Sequence, residues 1–294
     1  MEIIPLAAES MGVRSMATFV ETKDCCAIID PGAIVEQFRS GLPPHPVEEW
    51  CLAKHLERIH LFTQTSDIII ITHYHDPHFF ADIIEHYRDK ILLIKNPNQL
   101  INVNQRNRAF KFLRAIQGVA KDINYADGRI LNYGNTQISF SPPIPHGASD
   151  SQGFIIQVAF REQGYTFVFS SDVQGPYTDT PIDFIVSQNP ELLYLDGPMT
   201  YLQGDQQVQN DLENVITRIK KIIEKTKVIN VIIDHHLLRD HQWDSKIEPA
   251  FNFARQRGVT IQTAAEFRGE ANNLLEARRV QLYENDPPSK NNST

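Results

Sequence analysis

The chain has 294 residues, of which 41% are hydrophobic and 22% charged, enough to bury a full core and ordinary for a soluble globular protein. No run of eighteen apolar residues occurs and the first ten residues lack a basic and apolar leader, so a cytoplasmic protein with no membrane partner is expected. A formal net charge of −8 repels polyanions, so a long nucleic acid needs a local basic patch, and three cysteines without a CxxC pair are expected as buried thiols, which leaves any metal to histidines and carboxylates.

From the N-terminus, β-type runs predict strands at 16–21, 25–29, 68–71, 91–95, 136–140, 155–160 and 165–170. Helical periodicity predicts helices at 47–59, 99–119, 208–225 and 246–257, and further strands at 192–195, 228–233 and 260–263 alternate with the last of these. Strands mixed with helices in this order indicate a layered α/β architecture in which the late strands build a second sheet covered on one side. No Gly/Ser-rich linker or fixed-period repeat interrupts the chain, so one domain is expected over residues 1–284. Residues 285–294, polar and broken by prolines, read as a disordered tail. Arg106, Arg108, Lys111 and Arg114 stand beside Phe110, Phe112 and Leu113 on one predicted helix. Charges on an outer helix face are the norm, so this is first a solvated amphipathic helix and second a phosphate-binding face.

Chemistry concentrates just after the predicted strands. Thr72-His73-Tyr74-His75-Asp76-Pro77-His78 follows the strand at 68–71 and holds three imidazoles and a carboxylate within six residues. In extended chain His73 and His75 point the same way, so two nitrogens can reach one ion at about 2.0–2.1 Å, with Asp76 and His78 facing a neighbouring position. A surface turn favoured by Asp76-Pro77 accounts for any single histidine there, but packing has no use for three. His146 lies past the strand at 136–140 in a stretch stiffened by Pro142, Pro143 and Pro145. Alone it is an ordinary loop residue; beside a site, the stiff loop and Gly147 suit a ligand. Asp172, where the strand at 165–170 yields to Gly175-Pro176, is alone a turn or cap residue, whereas in a metal site its two oxygens can bridge two cations. Asp234-His235-His236 ends the strand at 228–233, and one imidazole there can complete a second cation's shell while its neighbour bonds outside it. All four clusters fall at strand ends, where one rim of a sheet sandwich can collect them.

The order of these motifs resembles the metallo-β-lactamase superfamily over about residues 16–240, from Asp30-Pro31-Gly32 through the histidine cluster, a later histidine, an aspartate and a last histidine. More narrowly, it resembles an archaeal-type branch of predicted metal-dependent hydrolases through residues 72–78, Ile101-Asn102 with Gln105-Arg106, Pro145-His146-Gly147, residues 171–176, Gly197-Pro198 with Thr200-Tyr201, and Asp234-His235-His236 with Arg239-Asp240. The resemblance implies a four-layer αββα sandwich with a metal site at one edge. His73, His75 and His146 would hold a first ion, His78 and His235 a second, with His236 as the alternative to His235, and Asp172 would bridge both. One or two zinc ions are implied, with iron or manganese suiting the same ligands.

The family pattern His-x-His-x-Asp-His is altered, because the carboxylate stands one position early and Pro77 takes its place. Asp76 is nonetheless expected to ligate the second ion and to orient the attacking water. The implied activity is hydrolysis of a small ester- or phosphodiester-type substrate by a metal-activated water. Thr200, Tyr201, Arg239 and Ser149 are expected as polar contacts near the rim, and Asp234 or Asp150 as acceptors for the far nitrogens of the ligating histidines. Two other outcomes stay open: an RNA-processing nuclease, if residues 106–114 or Arg239 form a basic face, and a metal-binding protein without catalysis, if Asp76 cannot reach the site.

Overall fold

The computed structural model describes residues 1–80, 83–202 and 206–287. Of the tail expected over 285–294, residues 288–294 lie outside the described residues. The first sheet runs in chain order through β1 (Glu2–Pro5), β2 (Thr18–Glu21), β3 (Cys26–Ile29), β4 (Ile68–Ile71), β5 (Ile91–Ile94) and β6 (Asp122–Tyr125), antiparallel as far as β3 and parallel beyond it. The second sheet begins with β7 (Ile130–Tyr133) and β8 (Thr136–Phe140), and the chain then leaves it for a two-strand ladder, β9 (Ile144–Pro145) with β10 (Phe154–Ile155). It returns as β11 (Val158–Glu162), β12 (Tyr165–Phe169), β13 (Leu192–Asp196), β14 (Asn230–Asp234) and β15 (Thr260–Gln262), with β12 to β15 parallel in sequence order. The helices are α1 (Pro46–Thr65), α2 (Val103–Ala115), α3 (Thr180–Gln188), α4 (Gln206–Lys225), α5 (Trp243–Lys246), α6 (Glu248–Gln256), α7 (Ala264–Phe267) and α8 (Arg279–Asn285).

The two-residue period of a strand decides which side chain faces which layer. In β4, Ile68 and Ile70 enter the space between the sheets with Phe140, Phe160, Phe167 and Tyr194, while Ile69 and Ile71 pack beneath α1 and α2 against Ile59, Ala109 and Phe112. In β13, Leu192 and Tyr194 face inward and Leu193 and Leu195 outward, beneath Ile185 of α3, Val215 and Ile219 of α4 and Ala250 of α6. Each such side chain contributes roughly 1.5–3 kcal/mol when fully buried, so strands covered on both faces hold the four αββα layers together. The strands that sequence reading missed are β9 of the short ladder and β1, β6 and β7, and these last three are sheet edges. These edge strands hold at most one fully buried residue each, so little core-facing hydrophobicity marks them.

Helix α2 is shorter than expected because the side chain of Asn102 caps its start by accepting from the Gln105 amide. It buries Gln105, Ala109 and Phe112 and leaves Arg106, Lys111 and Arg114 exposed, as a solvated amphipathic helix does. Cys25 and Cys51 are buried thiols and Cys26 is half-buried. No helix among the described residues is long and apolar enough to cross a membrane.

What positions the site is the parallel half of each sheet. The C-terminal ends of β3, β4, β12, β13 and β14 reach one rim, the usual place for a site in a parallel sheet. There the Thr72 amide and hydroxyl donate to Asp30 at 2.8 and 2.6 Å, the Thr72 and Ser171 hydroxyls meet at 2.6 Å, and Asp196 pairs in register with Asp234.

Candidate metal centre

Six histidines and Asp172 gather at this rim. His73, His75, His146 and Asp172 form one group whose ligand atoms all lie within 4.8 Å of one another; His78, Asp172 and His235 form a second, Asp172, Asp196 and His236 a third, and Asp30, His73 and His78 a fourth. Asp172 is shared by three of the four. Its Oδ2 stands 2.8 Å from His146 Nε2, 3.3 Å from His78 Nε2, and 3.6 Å from both His73 Nε2 and His235 Nε2. Its Oδ1 stands 3.3 Å from His236 Nδ1.

The local backbone explains why these side chains converge. β4 ends at Ile71, and the bent segment beyond it, with His75 itself in extended backbone, brings the ligand nitrogens of His73 and His75 within 4.8 Å of one another. Asp76–His78 then makes a single 3₁₀ turn with Pro77 inside it, closed by the His78 amide donating to the His75 carbonyl at 3.0 Å. A 3₁₀ turn brings residues three apart onto one side, so His78 swings in beside His75 and Asp76 swings out. The turn sits against Gly32, where any Cβ would stand 2.6 Å from the Phe79 nitrogen. Gly147 is required for its own φ of +89° and because a Cβ there would strike the Gln174 side chain. Asp30, Ser171, Gln174 and His235 all adopt left-handed backbone, with φ of 46°, 60°, 55° and 64°. Such strain persists only where the surroundings over-determine it, and it clusters at functional sites.

The far nitrogen has a partner in five of the six imidazoles, while His236 turns one nitrogen, Nδ1, to both Asp172 and Asp196. His78 Nδ1 meets Asp30 Oδ2 at 3.0 Å, His235 Nδ1 meets Glu9 Oε2 at 2.8 Å, and His236 Nδ1 meets Asp196 at 3.1 Å. His73 Nδ1 meets the Thr72 hydroxyl at 3.1 Å, His75 Nε2 meets the Gln105 amide at 3.4 Å and His146 Nδ1 meets the Gln174 amide at 3.4 Å. Where that partner is an acceptor, as Asp30 is for His78 and Glu9 for His235, it holds a proton on Nδ1 and aims Nε2 at the centre. The aimed atoms are the anomaly: His73 Nε2, His78 Nε2, His146 Nε2 and Asp172 Oδ1 are buried without a hydrogen-bond partner among the described residues. Leaving one buried polar atom unpaired costs roughly 1–3 kcal/mol, so four at one point require a ligand of opposite character, and a cation fits a set of lone pairs.

The electrostatics divide the cluster. Burial, then the neighbouring His78, lowers His73 to about 3, and burial, then His73, lowers His75 to about 2, so both are neutral imidazoles with a lone pair to give. Burial also lowers His78 and His235, but Asp172 and Asp30 outweigh it at His78, and Glu9 takes His235 up to about 10. Burial raises Glu9, yet His235 and Arg239 overcome it and hold the carboxyl near 2. Asp172 is likewise raised by burial and pulled well below the carboxylate range by His146 and His236, while burial keeps Asp196 well above that range.

Several expectations are corrected. Asp76 does not join the cluster: it is exposed and pairs with Arg108 at 3.3 Å, because Pro77 makes the turn that points it away. Asp234 serves no imidazole; its carboxylate accepts three backbone amides, from Ser10, His235 and Ala264, and staples the strand end. Asp150 is exposed on the loop before β10. Arg239 is not a free rim contact, since its guanidinium is buried in a two-pronged bond to Glu9 at 2.9 and 2.7 Å. Thr200 donates to Asp240 and Tyr201 carries the Arg39 guanidinium 4.8 Å from its ring centre, whereas Ser149, bonded to Ser151, does lie at the rim beside His146, as expected. Both His235 and His236 reach Asp172; His235 shares its group with His78, and His236 with Asp196.

Sequence reading missed Glu9 and Asp196, and noticed Asp30 only as a strand end and Gln105 and Gln174 only within the motifs that carry the resemblance. Asp30 and Asp196 were within reach, since each is an acid that ends a strand just before Pro31 or Gly197-Pro198. Nothing in the sequence marks Glu9, which lies 226 residues from the histidine it supports.

No family model matches the chain. Full-length relatives do: a UPF0282 protein of Korarchaeum cryptofilum is 41% identical over 285 residues, covering 97% of this chain and 95% of its own. One from Methanocaldococcus jannaschii is 42% identical over 293 residues, covering 96% of both. Among solved structures, the metallo-beta-lactamase fold protein YhfI from Bacillus subtilis is similar with a TM-score of 0.54 at 13% identity, over 92% of this chain and 96% of that one. Yeast PDE1 is similar with a TM-score of 0.52 at 11% identity, over 89% and 96%. At such identities the likeness establishes the fold, which is that of the metallo-β-lactamase proteins.

Proposed function

The chain belongs to the UPF0282 family, and from that premise and the centre around Asp172 we propose that it is a metal-dependent hydrolase acting on a small ester- or phosphodiester-type substrate. The observation that carries this reading is the set of buried, unpartnered nitrogens and the Asp172 oxygen aimed at a common point. His73, His75, His146 and Asp172 would hold one cation, and His78, His235 and Asp172 a second, with His236 kept beside Asp196. Imidazole with carboxylate suits zinc, iron or manganese. When bound, the cations supply Lewis acidity and make water ionise near neutral pH.

The chain's own groups divide the remaining work. Asp172 Oδ2 is the oxygen the imidazoles share, which leaves Oδ1, buried and unpartnered, to accept a hydrogen bond from the attacking water, the task first expected of Asp76. Asp30, Glu9 and Asp196 fix the tautomers of the histidines they touch, so no reorganisation is needed when substrate arrives. A nuclease reading needs cations turned toward the centre, and two of its candidates are engaged: Arg239 by Glu9 and Arg108 by Asp76.

Elemental analysis of the purified protein, with turnover of p-nitrophenyl esters and bis-p-nitrophenyl phosphate, tests this. Two equivalents of metal and hydrolysis of one class are expected. His75→Ala should lose a cation and keep its circular dichroism, since apolar burial rather than the ion holds the sheets. Undiminished metal in that variant, or bound metal with no turnover in the wild type, overturns the proposal.

A further inference from the structure

Beside His146 the rim opens into a cleft of about 180 Å³, below the ~300 Å³ at which sites for drug-sized ligands begin. Its apolar walls are Ala148, Tyr177, Met199 and Leu202. Its polar groups are Ser149, the Asp211 carboxylate and the amides of Gln152 and Gln174, which are bonded to each other at 2.7 Å. The segments that border it, residues 146–153, 172–177 and 196–202 with Asp211 of α4, contain no lysine or arginine, while Asp150, Asp172, Asp196 and Asp211 all fall within them. Cations elsewhere on the rim are engaged: Arg239 with Glu9, Lys246 with Asp240, and Arg39 over Tyr201.

An anionic group placed in this cleft loses its water and faces Asp211 with no side-chain counter-charge. A short uncharged arm instead buries apolar surface against Tyr177, Met199 and Leu202. We infer, on the hydrolase reading above, that the substrate is a small carboxylic ester whose non-reacting arm is short, apolar and uncharged and lies in the cleft beside His146. Substrates whose arm ends in carboxylate or phosphate, nucleic acids among them, are turned away. In the reaction the water oxygen bonds to the carbonyl carbon and the bond from that carbon to the alcohol oxygen breaks. One water proton passes to the departing alkoxide, and the other is released as the product acid ionises.

The test compares p-nitrophenyl butyrate with mono-p-nitrophenyl glutarate on the zinc-loaded protein, with Asp172→Ala as background. The two esters share the reacting carbonyl and leaving group and differ in the charge at the end of the arm. The butyrate is expected to lead by about tenfold or more in kcat/KM, mostly through KM, and to exceed bis-p-nitrophenyl phosphate. Gln152→Lys should bring the ratio of the two esters to about one by lowering KM for the glutarate, and Asp211→Asn should narrow it without adding a charge. Equal or reversed preference in the wild type, or a faster phosphodiester, overturns this inference and leaves the hydrolase reading standing. No turnover of all three compounds with zinc bound overturns the hydrolase reading and, with it, the inference.

Discussion

The two ends of the histidine cluster use the same residue type in different settings. At one end His73, His75 and His146 are backed by neutral groups, the Thr72 hydroxyl and the Gln105 and Gln174 amides. At the other, His78 and His235 are backed by carboxylates, from Asp30 and Glu9, and His236 by the Asp196 carboxyl, which burial pushes well above the carboxylate range. A carboxylate behind an imidazole makes it a stronger donor and orients it more firmly. The carboxylate-backed end is also the one from which Asp76 has been turned away by Pro77. Negative charge missing next to the second cation is thus restored one bond further out, and ligand count alone understates how well that end can hold an ion.

The largest effect is expected where the two ends meet. Asp172→Ala should empty both ends together and cut activity by more than about a hundredfold, since it removes a ligand where loss of an outer partner alone costs 10–100-fold. If one full equivalent of metal stays bound with unchanged affinity, the ends do not share Asp172. Next comes the contrast itself. Glu9→Gln should weaken the His235 cation by about 10–100-fold, whereas Gln105→Met, behind His75, should weaken its cation by much less. Equal losses in metal titrations of the two variants would erase the distinction drawn above.

A histidine pair outside the centre shows an imidazole facing another imidazole with no carboxylate among its described partners. His86 lies against His60 at 4.6 Å between rings, and burial, then His60, lowers it to about 4. Its folded value is below its unfolded value, so in that window the unfolded chain binds more protons. Stability should therefore be full above about pH 6.5 and fall as the pH drops through about 4. Denaturant titrations from pH 7 to 4 check this, and His86→Gln should flatten the slope; an unchanged slope would deny His86 that role. The smallest effect belongs to Asp76→Ala, which removes an exposed pair with Arg108 worth about 0–1 kcal/mol and should leave metal content and activity unchanged. Loss of a cation in that variant would return Asp76 to the centre.

Much of the fold is legible in the sequence because the central strands are buried on both faces: Ile68–Ile71 and Leu192–Asp196 announce themselves by composition. The edge strands β1, β6 and β7 are held by pairing rather than by core burial, and so are silent. At the centre, His73, His75, His78, His146, Asp172 and His235 stand out because ligands cluster directly after strands. The direction of Asp76 is different, since a one-residue shift around Pro77 is settled by the turn it forms against Gly32.

By itself the sequence determined which strands are central, that their ends carry imidazoles and carboxylates, and that cysteine has no part in the site. Only the tertiary structure decided that Glu9, Asp30 and Asp196 stand behind one half of the histidines, that Arg239 is bound by Glu9, and that no lysine or arginine among the described residues lines the cleft beside His146. Periodicity and local motifs are properties of neighbours along the chain, whereas a hydrogen bond from His235 to Glu9 exists only because the fold packs so that residues 226 positions apart come within 2.8 Å.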